Sequence, residues 1–392
     1  MAQFFLMVVT EKKIILVANT SWNLWNYRLS LIRALAGQGY TVVLAAPADR
    51  FRDTLLHLGG IRFISLRHLS RKSLSPLQNL LLLWELYRLF RREKPAVAVL
   101  YTIKPNIFGN FAAALTGIKT VSVLEGLGYS GTAPVRWRRL AALLYRLALC
   151  TARKVVFLNA DDCREFLEKK LVQPAKTRVI HGPGIDTAHF SPLERQKKYK
   201  LAFLFSGRLL TEKGIRSFAD AAEQLHREGV PAIFQILGAP DPGNPTSIDI
   251  REVHNWANAG FVQYHGSADD VRPFLARADV LVLPSWYREG VPRSVLEAMA
   301  MGKIIITTDT PGCRDTVESG ENGFLIPPGD TPALVNAMRQ VLAATPEQRA
   351  YMSARSIEKA RTEFSDTVVL PQYLRVIERA WTSISAPETP AP

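Results

Sequence analysis

Residues Val280–Asp309 read VLVLPSWYREGVPRSVLEAMAMGKIIITTD, and the fold class turns on this stretch. Four apolar residues, Val280–Leu283, precede a loop containing Gly290; a helical pattern opens near Pro292, and a β-branched run occupies Lys303–Thr307. Strand, crossover helix and strand in this order build parallel sheet, because parallel neighbours cannot be joined by a tight turn. The alternation continues on both sides. Leu201–Phe205, Ala232–Leu237 and Val262–His265 lie upstream, and Gly323–Ile326 downstream. An earlier series comprises Ile14–Ala18, Thr41–Ala45, Arg62–Ser65, Ala96–Leu100, Lys119–Leu124, Lys154–Leu158 and Arg178–His181. Between the two series, Gly182–Lys200 has the Gly, Pro and basic content of a linker. The pattern predicts an α/β protein of two doubly wound, Rossmann-like domains, residues 1–188 and 189–365, facing across a cleft. A closing helix and frayed tail are expected over residues 366–392. Such sheets bind ligands beyond the carboxyl ends of their strands, so the cleft is the expected site.

Composition agrees with this division. The 392 residues exceed what one core organises, and a hydrophobic content of 47% suffices for two. Cys150, Cys163 and Cys313 show neither metal-ligand nor CxxC spacing, which argues against a zinc site and fits a reducing compartment. The apolar stretch Phe4–Val9 is short and precedes Glu11, Lys12 and Lys13, the wrong order of parts for a signal peptide. Runs at Leu80–Trp84 and Leu140–Cys150 fall short of the roughly 20 residues a spanning helix needs. A cytoplasmic protein is expected.

The net charge of +14 is unevenly spread. Residues 1–190 hold 27 Lys plus Arg against 11 Asp plus Glu, and residues 191–392 hold 22 against 24. A basic half-chain attracts an anionic partner. Pro76–Lys94 and Val135–Lys154 interleave Leu, Trp and Tyr with Arg, as helices in a membrane interface do. An anionic membrane surface is therefore the expected partner, docked through Arg91, Arg92, Arg136, Trp137, Arg138 and Arg139. The plainer alternative is a solvated face over an ordinary core. No RNP-like aromatic strand or zinc-finger spacing accompanies the charge, so nucleic acid is not expected.

Glu289 stands in the loop at the end of one strand, and Glu297 lies eight positions on, inside the helix. The amides of Gly290, Val291 and the helix start after Pro292 are placed for a phosphate or diphosphate. Two carboxylates beside an anion site repel phosphates, so sugar hydroxyls are their expected partners. Taken singly, Glu289 reads by default as a solvated loop Glu and Glu297 as a capping Glu in the helix. In SGRLLTEKG, Ser206–Gly214, Arg208 follows a strand and Lys213 opens the next helix, so both either reach the cleft or form a surface pair.

The pair Glu289 and Glu297 within EGVPRSVLEAMAMGK resembles the signature of the family 4 retaining glycosyltransferases, which have the GT-B fold. SGRLLTEKG, PGCRDTVESGENGFLIPPGD (Pro311–Asp330) and HGPGIDTAHF (His181–Phe190) resemble further features of that family in the same order. The resemblance implies that Glu289 contacts the donor hexose, Glu297 the nucleotide ribose, and Arg208 with Lys213 the donor diphosphate. It also implies front-face attack, with the leaving phosphate taking the acceptor's proton, so that no strong protein base is needed. SRKSLSP (Ser70–Pro76), KPNIFGNFAAA (Lys104–Ala114) and EGLG (Glu125–Gly128) resemble a subgroup that adds N-acetylhexosamine to undecaprenyl-diphosphate-linked sugars. That implies a UDP-sugar donor, carrying GalNAc, GlcNAc or a hexose, a lipid-diphosphate-linked acceptor and a peripheral position on the inner face of the plasma membrane. Glu125 would orient the acceptor hydroxyl, contact the donor sugar or cap a loop.

The chain departs from the family in three places. No glycine occurs from Asn19 to Arg28, where many members carry a glycine-rich loop, and Asn26 and Arg28 are expected to replace it. Tyr101–Lys104 stands where the family often has His, which leaves Lys104 as the donor-side candidate. His181 replaces an Asn and is read as a hinge-side structural residue. With a cationic pair for the leaving charge and no Asp-x-Asp cluster, neither metal nor other cofactor is expected. The rival readings are a GT-B enzyme with a soluble acceptor, a nucleotide-sugar 2-epimerase, and a non-enzymatic basic protein that binds RNA or anionic lipid.

Overall fold

The computed structural model describes residues 12–71, 73, 75–126, 135–193 and 200–382, without the side chains of residues 135–138. The expected Phe4–Val9 stretch, Gly128 of EGLG, the frayed tail and the side chains of Arg136, Trp137 and Arg138 lie outside the described residues. Two parallel sheets organise the rest. The first contains β1 (Lys13–Val17), β2 (Thr41–Ala46), β3 (Ile61–Ser65), β4 (Val97–Tyr101), β5 (Lys119–Leu124), β6 (Lys154–Phe157) and β7 (Thr177–Val179) in the order β3-β2-β1-β4-β5-β6-β7. The second contains β8 (Leu201–Ser206), β9 (Ala232–Leu237), β10 (Gln263–Tyr264), β11 (Val280–Leu283), β12 (Ile304–Thr308) and β13 (Gly323–Ile326) in the order β10-β9-β8-β11-β12-β13. The doubly wound α/β expectation holds, and the strand order reverses between β1 and β4 and again between β8 and β11. A crevice opens at such a reversal because the flanking helices run to opposite faces.

Strand alternation explains how both faces of the first sheet are covered. Ile14, Leu16, Val42 and Val99 pack with Leu24, Leu31 and Leu35 of the helix Ser21–Gly37 and with Tyr373 and Ile377 of the helix Asp366–Thr382. The last helix thus returns to the first domain after the chain has completed the second sheet. Its crossing lies beside the linker, where Ile185 N donates to Phe364 O at 2.9 Å and Asp366 N to Ile185 O at 2.9 Å. On the other face Ile15, Val17 and Leu100 pack with Leu86 and Phe90 of the helix Pro76–Glu93 and with Ala113 of the helix Asn110–Thr116. Leu124, Val155 and Phe157 continue that face under Tyr145 and Leu149 of the helix Val135–Thr151. Three helices therefore lie side by side on one face of the first domain.

Candidate active site

The second-domain candidates Lys213, Glu289, Arg208 and Glu297 gather at the β8/β11 reversal. Lys213 ends a short turn after β8, and its ammonium bonds the carboxylate of Glu289 in the loop after β11. Ser285 Oγ donates to the same Glu289 oxygen at 3.1 Å, so the carboxylate is held from two sides. The amides of Trp286 and Tyr287 in turn donate to the carbonyl of Glu212, at 3.0 and 3.2 Å, which fixes the β8 turn against the β11 loop. Arg208, 48% exposed, leans toward the cleft and donates to Asp241 at 2.8 Å.

Glu297 lies one turn into the helix Arg293–Ala300 and accepts from Arg293 Nε at 2.8 Å, the i to i+4 spacing that brings side chains together on a helix. Burial raises the Glu297 carboxyl above its usual range, and the Arg293 charge opposes that shift. The Arg293 guanidinium also lies 5.6 Å from the ring centre of Tyr27, in the first domain. Burial raises the Tyr27 phenol, with Arg293 and Arg208 opposing and Glu297 and Glu289 reinforcing. A first-domain tyrosine is thus set among four charged second-domain side chains. Nothing in the local pattern marks Tyr27, whereas the Arg293 to Glu297 spacing is visible once the helix is drawn.

The first-domain candidates are placed differently from expectation. Arg28 is 1% exposed, with its guanidinium 4.1 Å from the Tyr101 ring centre and paired with Glu125, so it lies beneath the crevice and cannot present itself to a donor. The physical reason is the helix phase, which turns Tyr27 toward the cleft and its neighbour toward the sheet. Glu125 is oriented by this cation and keeps an exposed edge. Asn26 Nδ2 donates to Trp22 O at 3.1 Å within its own helix. Lys104 Nζ donates to Ser73 O at 2.5 Å, and burial lowers its pKa. Asn26 thus commits an amide N–H to its own helix, and Lys104 commits one of its ammonium N–H groups to Ser73.

The loop bearing Glu289 is gripped by the opposite domain. Asn159, the cap of the helix Ala160–Glu168, donates to Gly290 O at 2.9 Å and Glu289 O at 3.3 Å. Gly126 has φ +94°, and a Cβ there would fall 2.8 Å from Arg288 O, so this position needs glycine to approach the loop. Val291 is buried, and Gly290 faces the Glu125 backbone; these two expected phosphate-site residues meet protein at the domain contact. Pro292 caps the helix. Arg288 bonds Asp162 at 3.0 Å and also Glu165, and Arg314 bonds Asp161 at 2.8 Å. Burial pushes Asp162 up to about 6, against the pull of Asn159 and Arg288. None of these cross-domain partners is marked by sequence spacing.

Comparison with known proteins agrees with this geometry. A Glycosyl transferase 4-like domain model matches residues 24–183, and a Glycosyl transferases group 1 model matches residues 200–344. The chain is 26% identical, over 91% of its length and 96% of the relative's, to the N,N'-diacetylbacillosaminyl-diphospho-undecaprenol alpha-1,3-N-acetylgalactosaminyltransferase of Campylobacter jejuni. It is 28% identical, over 69% of its length and 72% of the relative's, to the UDP-Gal:alpha-D-GlcNAc-diphosphoundecaprenol alpha-1,3-galactosyltransferase of Escherichia coli. Among solved structures, Thermosynechococcus elongatus sucrose-phosphate synthase superposes with TM-score 0.81 at 19% identity, covering 95% of this chain and 100% of that one. Anabaena HepE in complex with UDP gives 0.74 at 18% identity, covering 93% and 99%. At such identities these two establish the GT-B fold alone. With matched domains on both sides of the cleft, the chain belongs to the glycosyltransferases that join a 4-like domain to a group 1 domain, and it is an enzyme of that activity.

Proposed function

We propose that this enzyme is a retaining transferase that moves a hexose or N-acetylhexosamine, GalNAc or GlcNAc, from a UDP-sugar to an undecaprenyl-diphosphate-linked sugar in bacterial glycan assembly. The observation that carries this reading is the convergence of Glu289, Lys213, Arg208 and the Arg293–Glu297 pair at the carboxyl ends of β8 and β11. In this reading Glu297 accepts from ribose hydroxyls and Glu289 from the hexose. Arg208 and Lys213 stabilise the charge that grows on the departing diphosphate, without a metal. The bond from the anomeric carbon to the diphosphate breaks as the acceptor oxygen attacks the same face, and the acceptor proton passes to the leaving phosphate. The names of the two relatives support an acceptor carried on diphosphoundecaprenol.

The lipid part of the acceptor gives the first domain a membrane-facing role. On its three-helix face Leu77 (67% exposed), Leu80 and Trp84 (56%) of the helix Pro76–Glu93, Leu115, and Leu140, Leu143 and Leu147 of the helix Val135–Thr151 point outward. Arg91, Arg92 and Arg139 are exposed on the same helices. Apolar anchors among arginines suit an anionic bilayer surface, and no helix among the described residues is long and apolar enough to cross a membrane.

Incubation with a panel of UDP-sugars and a diphosphoundecaprenol-linked N-acetylhexosamine should give one product that keeps the donor's anomeric configuration, in the presence of excess EDTA. An inverted product, or activity lost to EDTA and restored by Mg²⁺, overturns the corresponding part. The double variant Leu80→Glu, Trp84→Glu should lose binding to anionic vesicles while retaining transfer to a short water-soluble acceptor; unchanged vesicle binding removes the docking face.

A further inference from the structure

Arg71 of the SRKSLSP motif in the first domain and Asp241 of the second meet across the cleft, 170 positions apart in sequence. Arg71 Nη2 reaches both carboxylate oxygens of Asp241 at 2.5 Å, and Arg208 Nη1 reaches one of them at 2.8 Å. Asp241 sits on a built support. Its amide bonds Ser247 Oγ at 2.9 Å, Asn244 Nδ2 approaches its carboxylate at 3.4 Å, and Thr246 O accepts from the Thr211 amide at 2.8 Å. Its loop is thereby stitched to the segment that carries Arg208 and Lys213. Although burial raises its pKa, the bonds from Arg71 and Arg208 hold Asp241 at about 2, so it is a carboxylate throughout the working pH range. On the other side the Arg71 loop is tied to the end of β4 through Lys104 and Ser73.

We propose that Arg71 is a positioning residue for the diphosphate cation Arg208, acting through Asp241 from the opposite domain. This rests on the assignment of Arg208 to the donor diphosphate made above. The reasoning is charge arithmetic. One carboxylate shared by two guanidinium groups leaves a net positive charge facing the cleft, whereas the Arg208–Asp241 pair alone is neutral. Arg71 takes up part of the Asp241 charge, and that leaves Arg208 available to a diphosphate. The arrangement gives Arg71 of the SRKSLSP motif a task in donor capture, exercised from across the cleft.

Calorimetric binding of UDP, with uridine as the probe lacking a diphosphate, tests this in wild type, Arg71→Ala, Asp241→Asn, the double variant and Arg208→Ala. Arg71→Ala should weaken UDP binding about tenfold, less than the roughly 100-fold expected of a direct charge contact, and leave uridine binding unchanged. In the Asp241→Asn background the same substitution should cost nothing, because no carboxylate remains to neutralise Arg208. A loss of equal size in both backgrounds means that Arg71 touches the nucleotide directly and overturns the inference, as does parallel weakening of uridine, which marks a purely structural tether. If Arg208→Ala itself leaves UDP affinity unchanged, the donor-site reading fails and the inference with it. If Arg208→Ala weakens UDP but Asp241→Asn does not rescue Arg71→Ala, the inference alone fails.

Discussion

At the β8/β11 reversal Arg208 and Lys213 stand at the crevice with Glu289 between strand end and helix, whereas at the β1/β4 reversal the corresponding space is filled by Arg28, Tyr101 and Glu125. The topology is the same in both sheets. Every one of these cations is paired with a carboxylate, and the difference lies in how far each stays open to solvent. In the second domain the cations keep partly open faces in a cleft that a diphosphate can enter. In the first, a cation almost wholly out of water is sandwiched against an aromatic ring and committed to a carboxylate, so the crevice is closed by protein. A doubly wound sheet therefore supplies the place for a nucleotide, and the side chains at the strand ends decide whether it is used. The first domain serves the second instead: Tyr27, Gly126 and Asn159 shape or hold the β11 loop and its helix from across the cleft.

The largest expected effect tests the open crevice. Glu289→Gln should nearly abolish transfer while UDP affinity, measured by calorimetry, stays close to wild type, because the proposed role of this carboxylate is toward the hexose. Equal loss of UDP affinity would place Glu289 on the nucleotide and blur the division between the two glutamates. Next comes the closed crevice. Arg28→Ala should destabilise the protein by about 3 kcal/mol in denaturant unfolding, since it breaks a buried cation's pairing and leaves a cavity beneath Tyr101. If stability is unchanged and UDP binding falls instead, the first crevice is a ligand site after all and the comparison breaks.

Glu297→Ala should weaken UDP binding by about 1 to 3 kcal/mol, the range for charge-assisted hydrogen bonds, with a smaller effect on the rate at saturating donor. An unchanged UDP affinity would make the Arg293–Glu297 pair a helix-surface contact. The smallest effect concerns the domain contact. Asp162 has a folded-state pKa of about 6, above an unfolded value of about 3.9, so the cost of ionising it inside the protein appears as pH rises through that window. The melting temperature of wild type relative to Asp162→Asn should therefore be higher near pH 4.5 than near pH 7.5. A difference independent of pH would mean that the Arg288 bond compensates its burial fully.

The relation between sequence and site differs for the two domains in the same way. The positions of Glu289, Glu297, Arg208 and Lys213 near strand ends were legible in the strand–loop–helix pattern, and their selection as a group rested on the resemblance of the motif that contains them. Arg28 and Asn26 were legible as polar groups near a strand end, but their direction was not. Whether a helix shows the cleft Tyr27 or Arg28 depends on how its apolar face docks on β1 and beside the returning helix Asp366–Thr382, a contact made by the far end of the chain.

By itself, then, the amino-acid sequence determined two parallel α/β sheets, the linker between them, the asymmetry of charge and the glutamate pair, all of them properties of local pattern and composition. Tertiary structure decided that Arg28 lies under the crevice, that Asn159 holds Gly290 from 131 positions away, and that Arg71 and Arg208 share Asp241. Such pairings arise when two separately patterned domains close on each other. Their energy depends on distance and burial across the cleft, quantities that no short-range spacing carries.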